Sequence, residues 1–270
     1  MQTAPIMAIS PLIILLVFLT LSPYSFSANL GNTISIKLAT AENFAPYAYT
    51  NENKQWQGID YDITSEIFKI LDIQFKPTAL PRARITKMLN HNSIDGLLST
   101  AAYNEPVSLD KLWLSIPIYT SEVSVFSLKL NPHKVNNISI LNDKKYRLGA
   151  LKEYSYHEAN ISLNNSPNIL KVHRDQQLVE LLILGRIDLA ISEDISFIYQ
   201  ARRLGKFDLI EPLLEISSKP VRIALTKDFI KQHPSLPQKI NYTITQLLNN
   251  GFIDLLIIKY MSLDRFSLAE

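Results

Sequence analysis

Two stretches of the chain share one pattern of apolar and polar positions. Residues 93–100 read SIDGLLST and residues 186–193 read RIDLAISE. In each, Ile-Asp follows a short polar or Gly-containing break, and a small apolar run then leads to Ser. Helical periodicity precedes both, over Arg84 to Asn90 in the first case and Gln176 to Leu184 in the second. A short apolar run of this kind predicts a buried parallel strand, and functional groups gather beyond the C-terminal end of such strands. Two such units predict two similar α/β lobes, each aiming a strand end at a shared cleft.

The rest of the pattern fills in around them. Thr33 to Ala39 (TISIKLA) alternates and is rich in β-branched residues, so it predicts a strand. An aromatic loop, Thr40 to Tyr49, and a polar tip (NENKQWQG) follow. Ile63, Ile67, Ile70 and Leu71 then mark one face of a helix, with Asp60 or Asp62 placed to cap it. Ile73 to Lys76 reads as a strand. Pro81 reads as the first residue of a helix that carries Arg82, Arg84 and Lys87. Val123, Val125 and Phe126 fall in a strand leaving the first lobe, and the polar segment 131–145 sits at a boundary. Tyr146 to Leu151 opens the second lobe, with a loop from Lys152 to Tyr156. Glu193-Asp194 begins the helix behind the second Ile-Asp strand. Lys219 to Thr226 reads as one alternating strand returning to the first lobe. From Pro237 on the chain is helical, with Gly251 as a break. The expected fold class is therefore α/β: a two-lobed clamp, each lobe a mainly parallel sheet flanked by helices, joined by a two-stranded hinge. Residues 28–124 and 220–270 form lobe 1, and residues 125–219 form lobe 2.

Composition narrows the function classes. Met1 to Ala28 carry no charged side chain, and Ile13 to Leu21 (IILLVFLTL) form an apolar block. Small residues at Ser25 and Ser27 fit a cleavage site before Ala28, so residues 1–27 read as a signal peptide, although no Lys or Arg precedes the block. The segment Gly251 to Met261 is apolar but short and is interrupted by Asp254 and Lys259, which suits a packed terminal helix rather than a membrane span. With 0 Cys the exported chain has no disulfide, no thiolate chemistry and no cysteine for a lipid anchor. A net charge of +2 on 270 residues argues against bulk nucleic-acid binding. The 5 His show no metal-ligand spacing, and the 7 Gly form neither a dinucleotide fingerprint nor a P-loop. Ser108 to Lys111 fits S-x-x-K, but no K-T-G or S-D-N accompanies it. No metal, no cofactor and no catalytic residue is expected.

Taken in order, "ATAENFAPYAY", "GIDYDI", "IDGLLST", "LSIPIY", "VSVF", "LGALKEYSY" and "GRIDLAISED", followed by a strand and two helices around "NNG", resemble the family-3 extracellular solute-binding proteins. The resemblance covers nearly all of the chain after the apolar block. It implies the periplasmic-binding-protein-like (type II) form of the clamp, periplasmic location, a monomer, and delivery of a small solute to an inner-membrane ABC permease or a sensor protein. By position it implies that Phe44, with Tyr47 and Tyr49 as neighbours, packs on the ligand, and that Arg82 takes the place of an aromatic on the other side. Ser99, Thr100 and Ala102 would bind a carboxylate. Glu193, with Asp194 one residue away, would take an ammonium, and the loop holding Lys152, Ser155 and Tyr156 would close from lobe 2.

One feature departs from the family pattern. The stretch Asn104 to Leu109 (NEPVSL) holds no Arg, where amino-acid binders of the family usually place one on the ligand carboxylate. Arg82 or Arg84 is left to supply that charge. The expected ligand is a small polar metabolite, amino-acid-like or anionic, held by Arg82 or Arg84 from one lobe and Glu193 or Lys152 from the other. Plainer readings stand beside these: Arg82 and Arg84 as solvated helix charges, Glu193 as a first-turn acid favoured by the helix dipole, and Phe44 as core. A further alternative is an enzyme on the same clamp, similar to cyclohexadienyl dehydratase, with Glu193 or Glu42 as the acid. A third is a ligand-presenting partner of a membrane sensor.

Overall fold

Alternation along Ser35–Ala41 places Ile36 and Leu38 in the core and turns Ser35 and Lys37 away from it, as the sequence pattern requires. This segment is β1 of a computed structural model that describes residues 34–100, 111–130, 137–152 and 168–262. In chain order there follow β2 (Tyr49–Thr50), β3 (Trp56–Gln57), α1 (Ile59–Ile70), β4 (Gln74–Leu80), α2 (Arg82–Asn90), β5 (Gly96–Leu97), β6 (Leu112–Leu114) and β7 (Tyr119–Leu128). The chain continues through β8 (Leu148–Leu151), β9 (Ile169–Val172), α3 (Asp175–Ile183), β10 (Leu189–Glu193), α4 (Asp194–Arg203), β11 (Ile210–Val221) and β12 (Ala224–Thr226). It closes with α5 (Lys227–Gln232), α6 (Leu236–Asn249) and α7 (Phe252–Ser262).

The strands form two principal sheets, ordered β4-β1-β5-β12-β6 and β11-β7-β10-β8-β9. In the first, β1 pairs parallel with β4 and β5, and β12 runs antiparallel to β5 and β6. In the second, β8 pairs parallel with β9 and β10, while the long β7–β11 pair is antiparallel. Helices cover both sheets, and the molecule is a two-lobed α/β clamp of the periplasmic-binding-protein type. The chain passes between the sheets twice, at Ser115–Tyr119 and at Val221–Ala224. These passages are bonded to each other: Ser115 donates its amide to the Ile223 carbonyl at 2.9 Å, and Ile118 donates to Val221 at 2.8 Å.

The apolar core divides accordingly. Ile36, Leu38, Ile59, Ile63, Ile67 and Phe68 pack with α6 and α7 on one face of the first sheet. Phe126, Leu178, Leu182, Ile187 and Phe197 pack under α3 and α4 in the second. Ile195 of α4 joins the first of these clusters, so apolar contact crosses between the lobes.

Several boundaries differ from the sequence reading. Lys219 to Thr226 is not one strand: Lys219, Pro220 and Val221 end β11 in the second sheet, and Ala224 begins β12 in the first. Pro81 stands one residue before α2, as its N-cap, and Arg82 is the first helical residue. Neither Asp60 nor Asp62 caps α1, whose N-cap is Gly58 and has no side-chain cap. Loop carbonyls cap the helix instead. Pro46 accepts from the Ile59 amide at 2.9 Å, and Tyr47 accepts from Asp60 at 2.8 Å and Tyr61 at 3.2 Å. With its helix already satisfied by backbone, Asp60 is free to turn into the interior.

Candidate functional site

The loop after β1 folds back on itself, because the amides of Tyr47 and Ala48 both donate to the Phe44 carbonyl at 2.8 Å. That turn stacks the Phe44 and Tyr47 rings with centroids 4.7 Å apart. Arg82, at the start of α2, lies over the outer face of this pair, its guanidinium carbon 5.4 Å from the Phe44 ring centre. Tyr47 is fully buried, and its hydroxyl sits beside Glu193 without an aligned hydrogen-bond partner. A line of side chains thus runs Arg82, Phe44, Tyr47, Glu193, from a half-exposed cation to a buried carboxylate.

Glu193 ends β10, the second Ile-Asp strand, and is buried there. It accepts a hydrogen bond from the Ser121 hydroxyl of β7. Burial pushes its carboxyl above the ordinary range; the Ser121 and Tyr47 hydroxyls and the charge of Lys219 oppose that rise, and Asp175 adds to it. Asp60 approaches the same cluster from the first sheet's side. Its Oδ1 accepts from the Tyr119 hydroxyl at 2.6 Å, while its Oδ2 is buried without a partner. Burial raises the Asp60 carboxyl to about 7; Tyr119 and Ser99 hold it down and Glu193 pushes it further up. The Tyr119 hydroxyl is itself raised, by burial and then by the charge of Asp60.

Nearby groups brace this centre. The Tyr49 and Tyr199 hydroxyls meet at 3.3 Å, linking the β2 strand to α4. The Gly58 amide donates to the Tyr260 hydroxyl at 2.8 Å, and that hydroxyl donates to Asp62 at 2.7 Å, which ties α7 to α1. Asp175, half-buried at the start of α3, accepts from Ser192 and, at 2.6 Å, from Ser196. A cavity of about 260 Å³ adjoins the loop and is lined by Glu42, Tyr49, Trp56 and their neighbours.

Of the residues expected at the site, Phe44, Tyr47, Arg82 and Glu193 come together, and Ser99 is buried beside Asp60 and Tyr119. Thr100 lies just past them, exchanging hydrogen bonds with the Arg222 backbone: its amide donates at 2.8 Å and its hydroxyl oxygen accepts at 3.0 Å. Glu42 is exposed at the cavity, Arg84 is exposed on α2, and the Lys152 amide donates to Val172 at 2.8 Å at the end of β8. Ser155, Tyr156, Ala102 and the stretch 104–109 lie outside the described residues. Sequence reasoning missed Asp60, Tyr119 and Ser121 as members of the cluster. Tyr119 and Ser121 carry no signal beyond a strand pattern, and Asp60 resembles a cap. Among the described residues no group of His, Cys, Asp or Glu could hold a metal ion, and no helix is long and apolar enough to cross a membrane.

Two lobes, a double passage between them and a polar cluster at their junction define the class of bilobal binding proteins. The chain belongs to the bacterial extracellular solute-binding proteins, family 3, whose family model matches residues 36–262. Its fold is similar to that of a histidine kinase sensor domain resembling periplasmic binding proteins, at 13% identity and TM-score 0.65, covering 84% of this chain and 96% of that one. It is likewise similar to an ancestral cationic amino acid solute-binding protein, at 17% identity and TM-score 0.67, over 84% of this chain and 95% of that one. Substrate-binding domain 2 of Lactococcus lactis GlnP matches at 17% identity and TM-score 0.63, over 85% and 96%. No curated protein sequence gives a match.

Proposed function

We propose that the chain is a periplasmic binding protein that captures a small, amino-acid-like solute between its lobes for an inner-membrane ABC permease. One observation carries this reading: the stack of Phe44 on Tyr47 has the Arg82 guanidinium at one end and the Glu193 carboxylate at the other. A zwitterion lying along that wall has its carboxylate toward Arg82 and its ammonium toward Glu193. A purely anionic solute fits less well, since Asp60, Glu193 and Asp194 all crowd the inner end. Ser99, Thr100, Glu42, Arg84, Lys152, Ser155 and Tyr156 complete the proposed contact set. The apolar N-terminus, residues 1–27, acts as the export signal. The hinge lies at the paired passages, Ser115–Tyr119 and Val221–Ala224, a few residues from the expected boundaries at 124/125 and 219/220. The solute touches both lobes only when they close, so it stabilises the closed form by that difference in contacts, and the closed form is what the permease reads.

The test is thermal unfolding of the chain starting at Ala28 against a panel of amino acids, dicarboxylates and amines. A binder at a hundred times its Kd adds about 2.7 kcal/mol. Arg82→Ala and Glu193→Gln should each abolish the gain; stabilisation by no amino acid would refute the reading. A second reading, an enzyme on the same clamp, draws on the raised carboxyls of the cluster: burial lifts Asp60 to about 7 and lifts Glu193 above the ordinary carboxylate range. Turnover of a bound solute would favour it.

A further inference from the structure

Three lysines converge on one cavity of the first lobe. The cavity, of about 340 Å³, is lined by Lys111, Lys227 and Lys231 together with Asn92 and Asp228. Lys111 precedes β6, Asn92 follows α2, and Lys227, Asp228 and Lys231 belong to α5. Asp228 is its only carboxylate among the described residues, and both of its oxygens are engaged. Lys231 Nζ donates to Oδ1 at 3.0 Å, and Asn92 Nδ2 donates to Oδ2 at 3.0 Å. The turn after α2 brings Asn92 there: its φ is +51°, and its amide donates to the Leu89 carbonyl at 3.1 Å. Asn adopts that left-handed backbone more readily than most residues. Lys111 and Lys227 make no ion pair among the described residues.

This cavity is separate from the cleft. Strand β5 runs toward Ser99 and Thr100, and β12 lies antiparallel beside it. Thr226, which also lines the cavity, ends β12 and donates its amide to the Asp95 carbonyl at 2.8 Å, just before β5 begins. The cavity therefore sits at the opposite end of the first sheet from Ser99, about 13 Å away along the strand direction.

Like charges gathered around one concavity repel, and a bound anion turns that repulsion into attraction. The cations are all lysines, and no arginine lines the cavity among the described residues. Ammonium groups hold a phosphate as point charges, whereas a flat carboxylate is matched best by an arginine fork. The volume is at the lower end of the range for small-molecule sites, about 300–1,000 Å³, which suits a small ligand rather than a polymer.

We propose that this cavity is a second binding site, for a small phosphate monoester. Lys111 and Lys227 contact the phosphate. Lys231 offsets the charge of Asp228, which in turn holds Asn92 in place. The site stands on lobe 1 alone and does not depend on which solute the cleft takes.

The test is titration of glycerol 3-phosphate into the nitrogen-15-labelled chain starting at Ala28, followed by amide signals. The expected result is saturable movement of Asn92, Lys111 and the residues from Thr226 to Lys231, with Phe44 and Glu193 unmoved. Glycerol alone should move none of them. Lys111→Gln combined with Lys227→Gln should weaken binding about tenfold or more. Lys76→Gln combined with Lys239→Gln, the same loss of charge at exposed positions elsewhere on lobe 1, should leave binding unchanged. Absence of saturable shifts, shifts confined to the cleft, or equal weakening in the two double variants would overturn the proposal. So would cosedimentation with vesicles containing phosphatidic acid in the absence of glycerol 3-phosphate binding, which would assign the lysines to a membrane surface.

Discussion

Asp95 and Asp188 hold equivalent places in the two sheets. Asp95 Oδ2 accepts the backbone amide of Lys37 at 2.7 Å, and Asp188 Oδ2 accepts that of Arg147 at 2.8 Å. Each also donates its own amide to the carbonyl of that same partner, at 2.9 Å and 2.8 Å. The preceding residues, Ile94 and Ile187, are both buried. The Ile-Asp pair is thus a register device: an apolar anchor fixes which face turns inward, and the carboxylate then ties the strand to its neighbour.

Asp95→Ala should therefore leave the half-buried Lys37 amide unpaired and cost about 1–3 kcal/mol in urea unfolding. Asp95→Asn keeps an acceptor oxygen and should recover most of the loss. Asp188→Ala should destabilise in the same direction. Equal stability of Asp95→Ala and the parent would show that solvent replaces the carboxylate.

Gly58 gives a second prediction. Its φ is +126°, and a Cβ there would stand 2.4 Å from the Tyr47 carbonyl oxygen that caps α1. Gly58→Ala should cost about 1–3 kcal/mol, from strain and displacement of the capping carbonyl together. Because Tyr47 moves with that carbonyl, the same variant should also weaken binding of any solute found by the thermal screen. A variant with unchanged melting would mean the loop relaxes freely.

The α/β class and the paired units were legible because the Ile-Asp repeat and the helical periodicities are local signals. Strand β11 was not. Its sequence, IEPLLEISSKPV, carries Pro212 and Pro220 and two register irregularities, at Pro212/Leu214 and Glu215/Ser217, so period-two alternation breaks. It lies at the edge of its sheet, where such prolines are tolerated. The family resemblance named Arg82, Phe44, Tyr47 and Glu193 by position as groups around a ligand, with Arg82 on the side opposite Phe44; it gave no sign that Arg82 lies directly over the Phe44 ring. Asp60 was not legible as part of the site, since its role depends on Tyr47 capping the helix in its place. A carbonyl cap leaves no mark in residue identity.

Tyr49 and Tyr199 offer a direct measure of how much the lobes stabilise one another. Their hydroxyls meet at 3.3 Å across the junction, and burial raises Tyr49 well above the ordinary phenol range. A double-mutant cycle with Tyr49→Phe and Tyr199→Phe should return a coupling of about 0.5–1.5 kcal/mol in thermal unfolding. A coupling near zero would show that the pair is opened by water in solution.

Asp194 yields the last prediction. It is the first residue of α4, half-buried, with Oδ1 unpartnered. Burial raises its carboxyl to about 6; a hydrogen bond with Ser124 opposes the rise, and the charges of Glu122, Glu215 and Glu193 add to it. A carboxyl raised in the folded state binds its proton more tightly there than when unfolded. Its contribution to stability is therefore full at acid pH and is lost as pH climbs from about 4 to about 6. Glu122→Gln removes one repelling charge, so it should stabilise the protein above that window, and the gain should shrink as pH falls through it. Partial exposure screens the interaction, which limits the gain to a few tenths of a kcal/mol. Urea unfolding of parent and variant at about pH 5 and about pH 8 would reveal it. A gain of equal size at both pH values would place the effect of Glu122 elsewhere than on Asp194.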